Sequence, residues 1–362
     1  PLSEVAARAR QVGSGDVADV LFTSGTTGSP KGAICTHAQN LRAYRDWGDV
    51  VGLAATDRYL VVAPFFHAFG YKAGWLAALM VGATVLPQPT FDVAAVLARI
   101  APDRISMLPG PPALYETFLA REDLAKHDLS SLRLAVTGAA TIPVSLIERM
   151  RTVLGFDTVI TGYGLTEACG IATMCRHDDD NETIATTSGR AIPGVNVMVV
   201  DAGGEEVPRG EPGEVIISGY NTMLGYLDEP EETAKALDKQ GWLKTGDIGV
   251  MNERGYLRIT DRQKDMFIVG GFNAYPAEIE NIVMKREDVA HVAVIGVPNQ
   301  RMGEVGKAYV VAKPNQTIDE TEFLGWCRDN MANFKAPRSV EFVADLPRNA
   351  TGKVQKFKLR QR

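Results

Sequence analysis

The chain has 362 residues, of which 45% are hydrophobic and 23% are charged, and it carries a formal net charge of −6 at pH 7. This length exceeds the size at which one hydrophobic core stops growing, so we expect at least two domains. The acidic balance argues against a nucleic acid or an anionic membrane as a partner. The longest apolar run, residues 74–86, is too short to cross a bilayer, so no transmembrane segment is predicted.

The first elements are a helix over residues 2–9 and a buried strand over residues 17–22, which leads into a segment rich in glycines and hydroxyl groups. The residues of this segment that we predict to contact phosphate are Thr23, Ser24, Gly25, Thr26, Thr27, Gly28 and Lys31. Glycines let the backbone approach an anion closely, while hydroxyls, N–H groups and the lysine charge supply donors for a polyphosphate. The Walker A loop of P-loop NTPases is excluded, because Pro30 and Gly32 stand where it needs a glycine and a Ser or Thr. A flexible linker is the alternative interpretation.

Strands and helices then alternate along the first half of the chain. Strands are expected over residues 59–63, 83–86, 105–108 and 132–137, and helices over residues 37–47, 74–80, 93–100 and 111–119. This alternation predicts a mostly parallel sheet covered by helices, with ligands at the carboxyl ends of the strands. An aromatic cluster that contains His67 follows the first of these strands. By itself, such a cluster is typical of a protein core.

Two loops follow later strands of this predicted sheet. The first contains Gly138, Ala139 and Ala140, whose small side chains leave a flat slot for a purine. A tight turn between a strand and a helix explains these three residues equally well from the sequence alone. The second loop is the string Thr-Gly-Tyr-Gly-Leu-Thr-Glu, which ends at Glu167.

From residue 188 the pattern changes to short alternating strands, at residues 195–200, 213–218, 242–244 and 256–260. A highly charged string, residues 261–265, separates this region from a compact α+β unit. In this unit a helix begins at Pro276, strands occupy residues 289–297 and 307–312, and a capping box over residues 317–320 predicts the start of a second helix. Near the end stands a Thr-Gly-Lys string at Lys353, for which a flexible basic tail is the alternative interpretation.

The segment from Thr23 to Gly32, the string that ends at Glu167 and the string that ends at Lys353 together resemble the signature sequences of the adenylate-forming (ANL) superfamily. The chain looks like the acyl-CoA synthetase or fatty-acid-CoA ligase branch. Residues 64–75 and 110–115 look closest to actinobacterial ligases that activate steroid-derived propionates. Because members of the family carry a large additional portion before the phosphate loop, the resemblance implies that this chain is a fragment of a longer enzyme.

The resemblance implies an α/β fold, with a mostly parallel sheet and helices, an antiparallel β subdomain and a small mobile α+β C-terminal domain. The implied bounds are residues 1–187 for a partial adenylation domain, 188–261 for the β subdomain, 262–264 for a hinge and 265–362 for the C-terminal domain. A charged hinge residue that stays solvated in both orientations can absorb a large change of backbone angles cheaply.

The resemblance also implies roles for single residues. Around ATP these are Gly138, Ala139, Ala140, Gly162, Tyr163 and Gly164 at the adenine, Thr166 at a phosphate oxygen, Glu167 at magnesium, and Asp247 and Arg262 at the ribose. Lys264 is the hinge residue, and Lys353 is the lysine of the adenylation step. Gly270 and Gly271 let the pantetheine arm of coenzyme A pass, and His67 lies at the wall of the acyl pocket. A turn aspartate at 247 and a β-bulge at residues 270–271 are the alternative interpretations.

The implied function is that of an ATP-dependent acyl-CoA ligase, an acid-thiol ligase that converts a fatty or steroid-derived carboxylic acid to acyl-AMP and then to acyl-CoA. Its cofactors are ATP, Mg²⁺ and coenzyme A, and we expect a cytoplasmic protein for which a homodimer is one option. Amino-acid-activating relatives carry an aspartate where this chain has Phe66 and His67, which favours a simple carboxylic acid. Two alternatives stay open: an adenylation module that passes its acyl group to a carrier protein, and a non-catalytic nucleotide-binding fragment.

Overall fold

The computed structural model describes residues 2–23, 30–89, 92–138, 142–262, 265–270, 272–348 and 354–361, and for residues 261–262 and 272–273 the backbone alone. The chain divides into two compact units. The larger contains Pro1–Thr245 and Val250–Arg258, and the smaller contains Gly246–Gly249 and Ile259–Arg362. Within the described ranges, no helix has the length and apolar character needed to span a bilayer. The predicted domain bounds at residues 187, 261 and 264 stay predictions.

The elements of the larger unit follow the predicted alternation. Its helices are α1 (Leu2–Ala9), α2 (His37–Val51), α3 (Ala77–Val81), α4 (Val93–Ile100), α5 (Pro112–Leu119), α6 (Val144–Thr152), α7 (Asn181–Thr186) and α8 (Pro230–Ala236), with a π-helix at Phe69–Leu76 and 3₁₀ turns at Leu124–Lys126 and Thr166–Ala168. Its strands are β1 (Val17–Thr23), β2 (Lys31–Thr36), β3 (Arg58–Val61), β4 (Thr84–Pro87), β5 (Leu134–Thr137), β6 (Thr158–Tyr163), β7 (Thr173–Met174), β8 (Arg190–Ala191), β9 (Val195–Val200), β10 (Pro212–Gly219) and β11 (Gly225–Tyr226).

Four strands of the larger unit run parallel, as predicted. Strand β3 pairs with β4 and strand β5 with β6, and parallel bridges through Met107 connect the two pairs. The strand predicted over residues 105–108 lies between these pairs: the Leu60 N–H donates to the Met107 carbonyl, and the Leu108 N–H donates to the Leu134 carbonyl, each at 3.0 Å. Strands β7 and β8 continue the sheet in antiparallel orientation beyond β6.

Strands β1, β2 and β11 form a separate antiparallel sheet with β2 in the middle. The prediction that residues 17–22 form a buried strand is half right. These residues do form a strand, but β1 lies at the edge of its sheet, and Phe22 is 66% exposed. Helix α2 follows β2 directly and begins with a capping box in which Thr36 and Gln39 bond each other's backbone N–H groups.

The β-rich region is antiparallel, as predicted. Strands β9 and β10 pair from Val195 to Gly219, and two further strands, β12 (Leu243–Met251) and β13 (Leu257–Arg262), complete the order β13-β12-β10-β9.

The smaller unit is an α+β unit, as predicted. Its further strands are β14 (Phe267–Val269), β15 (Phe272–Ala274), β16 (Val289–Asn299), β17 (Gly303–Ala312) and β18 (Ser339–Phe342), and its helices are α9 (Pro276–Val283), α10 (Glu320–Asn330) and α11 (Lys356–Leu359). Buried side chains such as Phe267 and Phe323 form its core. The predicted capping box is wrong: Asp319 caps α10 and accepts the N–H of Glu322, because aspartate is among the best N-cap residues. With these elements, the predicted α/β fold class is confirmed.

Candidate functional site

The predicted phosphate segment connects two neighbouring antiparallel strands. Thr23 ends β1 and Lys31 begins β2, and the two residues are paired in the sheet. The Thr23 hydroxyl donates to the Lys31 carbonyl at 3.4 Å. The predicted contacts at residues 24–28 lie outside the described residues. The residues on either side of the segment are therefore neighbours in one sheet, and this pairing fixes the position of Lys31.

The Lys31 ammonium group contacts an acidic and an aromatic side chain. It forms an ion pair with the Glu232 carboxylate of α8, and it lies 5.3 Å from the ring centroid of Tyr226. The other oxygen of Glu232 accepts from Lys235 at 2.6 Å. Hydrogen bonds from Lys235 and Lys31 lower the pKa of Glu232 to about 2, so its carboxylate is ionised at neutral pH.

Glu167 lies in the 3₁₀ turn that follows β6, where the sequence predicts a magnesium ligand. The Tyr226 hydroxyl donates to its Oε1 atom at 2.8 Å. Burial, and then the charge of Glu167, raises the pKa of Tyr226, so the phenol stays protonated. The Glu167 backbone is also held, because its carbonyl accepts the N–H of Met223 at 2.8 Å. Thr166, the predicted phosphate ligand, is half-buried in the same turn.

The predicted adenine residues lie at the carboxyl ends of two neighbouring parallel strands. Gly138 follows β5 directly, and Gly162 and Tyr163 end β6. A Cβ at Gly138 would lie 3.2 Å from the Gly162 carbonyl oxygen, and one at Gly164 would lie 2.3 Å from the Gly170 carbonyl oxygen. The second approach excludes any Cβ, and the first favours glycine, whose φ of +152° at position 138 also suits it. Ala139 and Ala140 lie outside the described residues.

His67, predicted at the acyl pocket, lies at the end of an exposed aromatic loop, just before the π-helix. Its Nδ1 atom accepts the N–H of Phe69 at 3.2 Å, and partial burial lowers its pKa. The neighbouring Phe65 and Phe66 are 47% and 73% exposed. The interpretation of this cluster as protein core therefore fails for these three side chains.

The π-helix that follows this loop carries a buried charge. Lys72 has 0% exposure, and its Nζ atom lies 3.1 Å from Asp19 Oδ1 on β1. Asn40 of α2 donates to the other oxygen of Asp19. The ion pair between Lys72 and Asp19 thus connects β1, the strand before the phosphate segment, to the π-helix that follows the aromatic loop.

The remaining predicted residues belong to the smaller unit. Asp247 is buried at 6% exposure within β12. Gly270 follows β14 directly with a φ of +57°, a left-handed conformation that favours glycine, and β14 pairs with β15 in continuous register. The side chain of Arg262 and residues Lys264, Gly271 and Lys353 lie outside the described residues.

Four charged or phenolic residues near the predicted ones were not predicted from the sequence: Asp19, Lys72, Tyr226 and Glu232. A weak signal exists for the first two, since each is a lone charge within an apolar run. For Tyr226 and Glu232 the local sequence offers none, because their importance arises only from contacts with Glu167 and Lys31, which lie 59 and 201 residues away in the chain.

Two family models match the chain. The model described as AMP-binding enzyme matches residues 3–227, and the model described as AMP-binding enzyme C-terminal domain matches residues 278–353. The Rhodococcus jostii protein named 3-[(3aS,4S,7aS)-7a-methyl-1,5-dioxo-octahydro-1H-inden-4-yl]propanoyl:CoA ligase is 53% identical over 359 residues, which is 99% of this chain and 68% of that protein. The protein of the same name from Mycobacterium tuberculosis is 53% identical over 360 residues, which is 99% of this chain and 69% of its own length.

Solved structures are similar over nearly the whole chain. ATP-bound MatB from Rhodopseudomonas palustris is 35% identical with a TM-score of 0.90, over 96% of this chain and 68% of MatB. The o-succinylbenzoate coenzyme A synthetase MenE from Bacillus subtilis, solved with ATP and a magnesium ion, is 28% identical with a TM-score of 0.87, over 96% of this chain and 71% of MenE.

Proposed function

We propose that this chain, which belongs to the AMP-binding enzyme family, is part of an ATP-dependent acyl-CoA ligase. In the first step an oxygen of the carboxylic acid attacks the α-phosphorus of ATP, the bond to the β-phosphate oxygen breaks, and acyl-AMP and pyrophosphate form. In the second step the thiolate of coenzyme A attacks the acyl carbonyl, and AMP leaves. Neither step needs a protein nucleophile, so the protein contributes positioning and charge stabilisation.

The observation that carries this proposal is that Tyr226 contacts both Lys31 and Glu167. The Lys31 ammonium group and the Glu167 carboxylate therefore both contact the Tyr226 side chain, although the two residues are far apart in the chain. A cation and a carboxylate that contact the same side chain suit a triphosphate and its metal ion. Lys31 contacts the leaving pyrophosphate, and Thr166 donates to a phosphate oxygen.

The residues present fit a magnesium ion. Mg²⁺ keeps several waters and binds through one or two carboxylates together with substrate phosphates. Glu167 offers such a carboxylate, since its Oε1 accepts the hydrogen bond of the Tyr226 hydroxyl, which leaves Oε2 for the metal. Among the described side chains, no three metal-ligating groups come together, which is in keeping with an ion that needs the nucleotide. When bound, magnesium neutralises charge on the departing pyrophosphate.

The substrate is an alicyclic propanoic acid of the kind named for the relatives at 53% identity. The exposed aromatic loop supports this assignment. Phe65 and Phe66 offer apolar surface, and no carboxylate stands at positions 66–67 to bind an amino group. His67, with its pKa lowered by partial burial, is neutral at pH 7 and suits a site beside a carboxylate and an apolar ring. The protein is cytoplasmic, in keeping with four buried free thiols; a homodimer stays a prediction.

Exchange of labelled pyrophosphate into ATP, driven by a panel of carboxylic acids, tests the first step in the full-length enzyme. Exchange that depends on a bicyclic propanoic acid supports the proposal, and no exchange with any acid would leave only a nucleotide-binding fragment. Addition of coenzyme A or of a phosphopantetheinyl carrier protein then identifies the acceptor. A carrier protein that accepts the acyl group while coenzyme A is inert would favour the adenylation module.

The role of Lys353 has its own test in the full-length enzyme. Lys353→Ala should slow acyl-AMP formation by ~10²–10³-fold, the scale of losing one preorganised donor. Thioester formation from synthetic acyl-AMP should stay nearly unchanged, because rotation at Lys264 removes Lys353 from the site before the second step. Lys358→Ala is the matched control in the same basic tail. Equal loss of both half-reactions would contradict alternation between two domain orientations.

A further inference from the structure

Lys31 has an anionic partner on helix α8. The Glu232 carboxylate forms an ion pair with Lys31 through one oxygen and accepts from Lys235 through the other. The Lys31 and Glu232 side chains are only 19% and 27% exposed, so water screens this pair less than it would screen a surface pair. The Lys31 ammonium group, which the proposed function assigns to pyrophosphate binding, is thus already paired with a carboxylate of the protein.

The position of Glu232 is fixed by the fold. Strand β11 pairs with β2, and the N–H of Leu227 donates to the Gly32 carbonyl at 2.8 Å, beside Lys31. Helix α8 is held against β11, because the N–H of Tyr226 donates to the Thr233 hydroxyl at 2.8 Å. Glu232 therefore reaches Lys31 from a segment that is hydrogen-bonded to the strand that Lys31 begins.

A phosphate group and the Glu232 carboxylate cannot both pair fully with one ammonium group. Lys31 must leave Glu232 to contact a phosphate oxygen, or Glu232 must stay close to the incoming anion and repel it. In either case Glu232 opposes phosphate binding. Lys235 limits this effect by sharing the Glu232 charge, and it gives the carboxylate a partner whenever Lys31 is withdrawn.

We propose that Glu232 competes with pyrophosphate for Lys31, holding Lys31 when the phosphate site is empty and speeding pyrophosphate release by taking Lys31 back. This inference rests on the proposed function, because pyrophosphate is a product of that reaction. Glu232 is accordingly a residue that controls product affinity, and it takes no part in the bond changes at phosphorus.

Titration calorimetry with magnesium pyrophosphate tests this competition without any turnover. Glu232→Gln keeps the side-chain shape and removes the charge, so pyrophosphate should bind about tenfold more tightly than to the wild type, on the scale of one hydrogen bond to a charged group. Product inhibition by pyrophosphate should strengthen by the same factor. Glu231→Gln is the matched control, since this exposed neighbour removes the same charge from α8 without contact to Lys31.

A double-mutant cycle with Lys31→Met shows whether Glu232 acts through Lys31. In the Lys31→Met background, Glu232→Gln should change pyrophosphate affinity by less than about twofold. Equal or weaker binding by Glu232→Gln, or the same gain in both backgrounds, would overturn the inference. If Glu232→Gln fails to fold, Glu232→Asp, which shortens the reach to Lys31, must bind pyrophosphate more tightly than the wild type does. A wild-type enzyme that binds no magnesium pyrophosphate would instead refute the proposed function.

Discussion

Replacing Tyr226 with phenylalanine removes one oxygen atom and keeps the aromatic ring that lies 5.3 Å from Lys31. The lost hydroxyl is the donor to Glu167 Oε1 at 2.8 Å. In the proposed mechanism this hydrogen bond orients the Glu167 carboxylate so that its other oxygen faces the metal. Tyr226 is therefore a positioning residue, and its removal should act on magnesium affinity more than on the affinity for the carboxylic acid.

The structure sets the expected size of this effect. Removing a hydrogen-bonding partner of a metal-ligating side chain typically lowers metal affinity by about 10- to 100-fold. Glu167 is half-buried, so water can replace part of the lost hydrogen bond, and we expect the lower end, about tenfold. Because the pKa of Tyr226 is raised and the phenol stays protonated, the effect should be the same from about pH 6 to pH 9.

The assay is ATP–pyrophosphate exchange at varied Mg²⁺ concentration with the other substrates saturating. Tyr226→Phe should raise the Mg²⁺ concentration for half-maximal rate about tenfold, with a smaller change in the maximal rate. Tyr220→Phe is the matched control, since Tyr220 also donates to a carboxylate, at 2.5 Å, but to Asp46. An unchanged Mg²⁺ dependence, or an equal shift in the control, would refute the assigned role of Tyr226.

Two further predictions concern stability. Lys72→Met leaves the Asp19 charge without its buried partner and should lower the free energy of unfolding by about 3–5 kcal/mol in urea titrations. The double variant with Asp19→Asn should regain much of this loss. Simple addition of the losses of the two single variants would contradict the prediction. Burial raises the pKa of Asp57, but hydrogen bonds from Arg133 and Ser106 outweigh it and hold that pKa below its ordinary value. The unfolded state thus binds more protons, so this stabilisation is present above about pH 4 and is lost as pH falls through the folded-state pKa. Thermal unfolding from pH 7 to pH 3 should show a shallower decline for Asp57→Asn, and an unchanged slope would count against it.

Local patterns predicted most elements of the fold but few of their partners. The runs at residues 59–63 and 83–86 correspond to β3 and β4, because a continuous apolar run is typical of parallel strands. Strand β3 is almost fully buried, whereas β4 is half-buried with exposed ends. The third strand of the β2 sheet could not be predicted in the same way, since β11 pairs Gly225 with Ile34, which lies far away in the chain. The resemblance to the adenylate-forming superfamily is confirmed, as is the class of acyl-CoA ligase that it implies.

The candidate site divides along the same line. Lys31 and Glu167 were predicted because each belongs to a short sequence motif that indicates phosphate or magnesium binding. Tyr226 and Glu232 were not, because a phenol after a glycine and a glutamate in the first turn of a helix are common on any surface. Only the three-dimensional contacts distinguish them. The roles of Lys264 and Lys353 stay predictions, since these residues lie outside the described part of the chain.

Strand β11 is only two residues long, yet it determines where this protein can be cut. A shortened version that stops at residue 224 would keep the strings that contain Lys31 and Glu167 but would lack the third strand of the β2 sheet and the phenol that contacts both residues. For protein engineers, a split-protein or domain-exchange boundary therefore belongs after α8, at residue 237 or later.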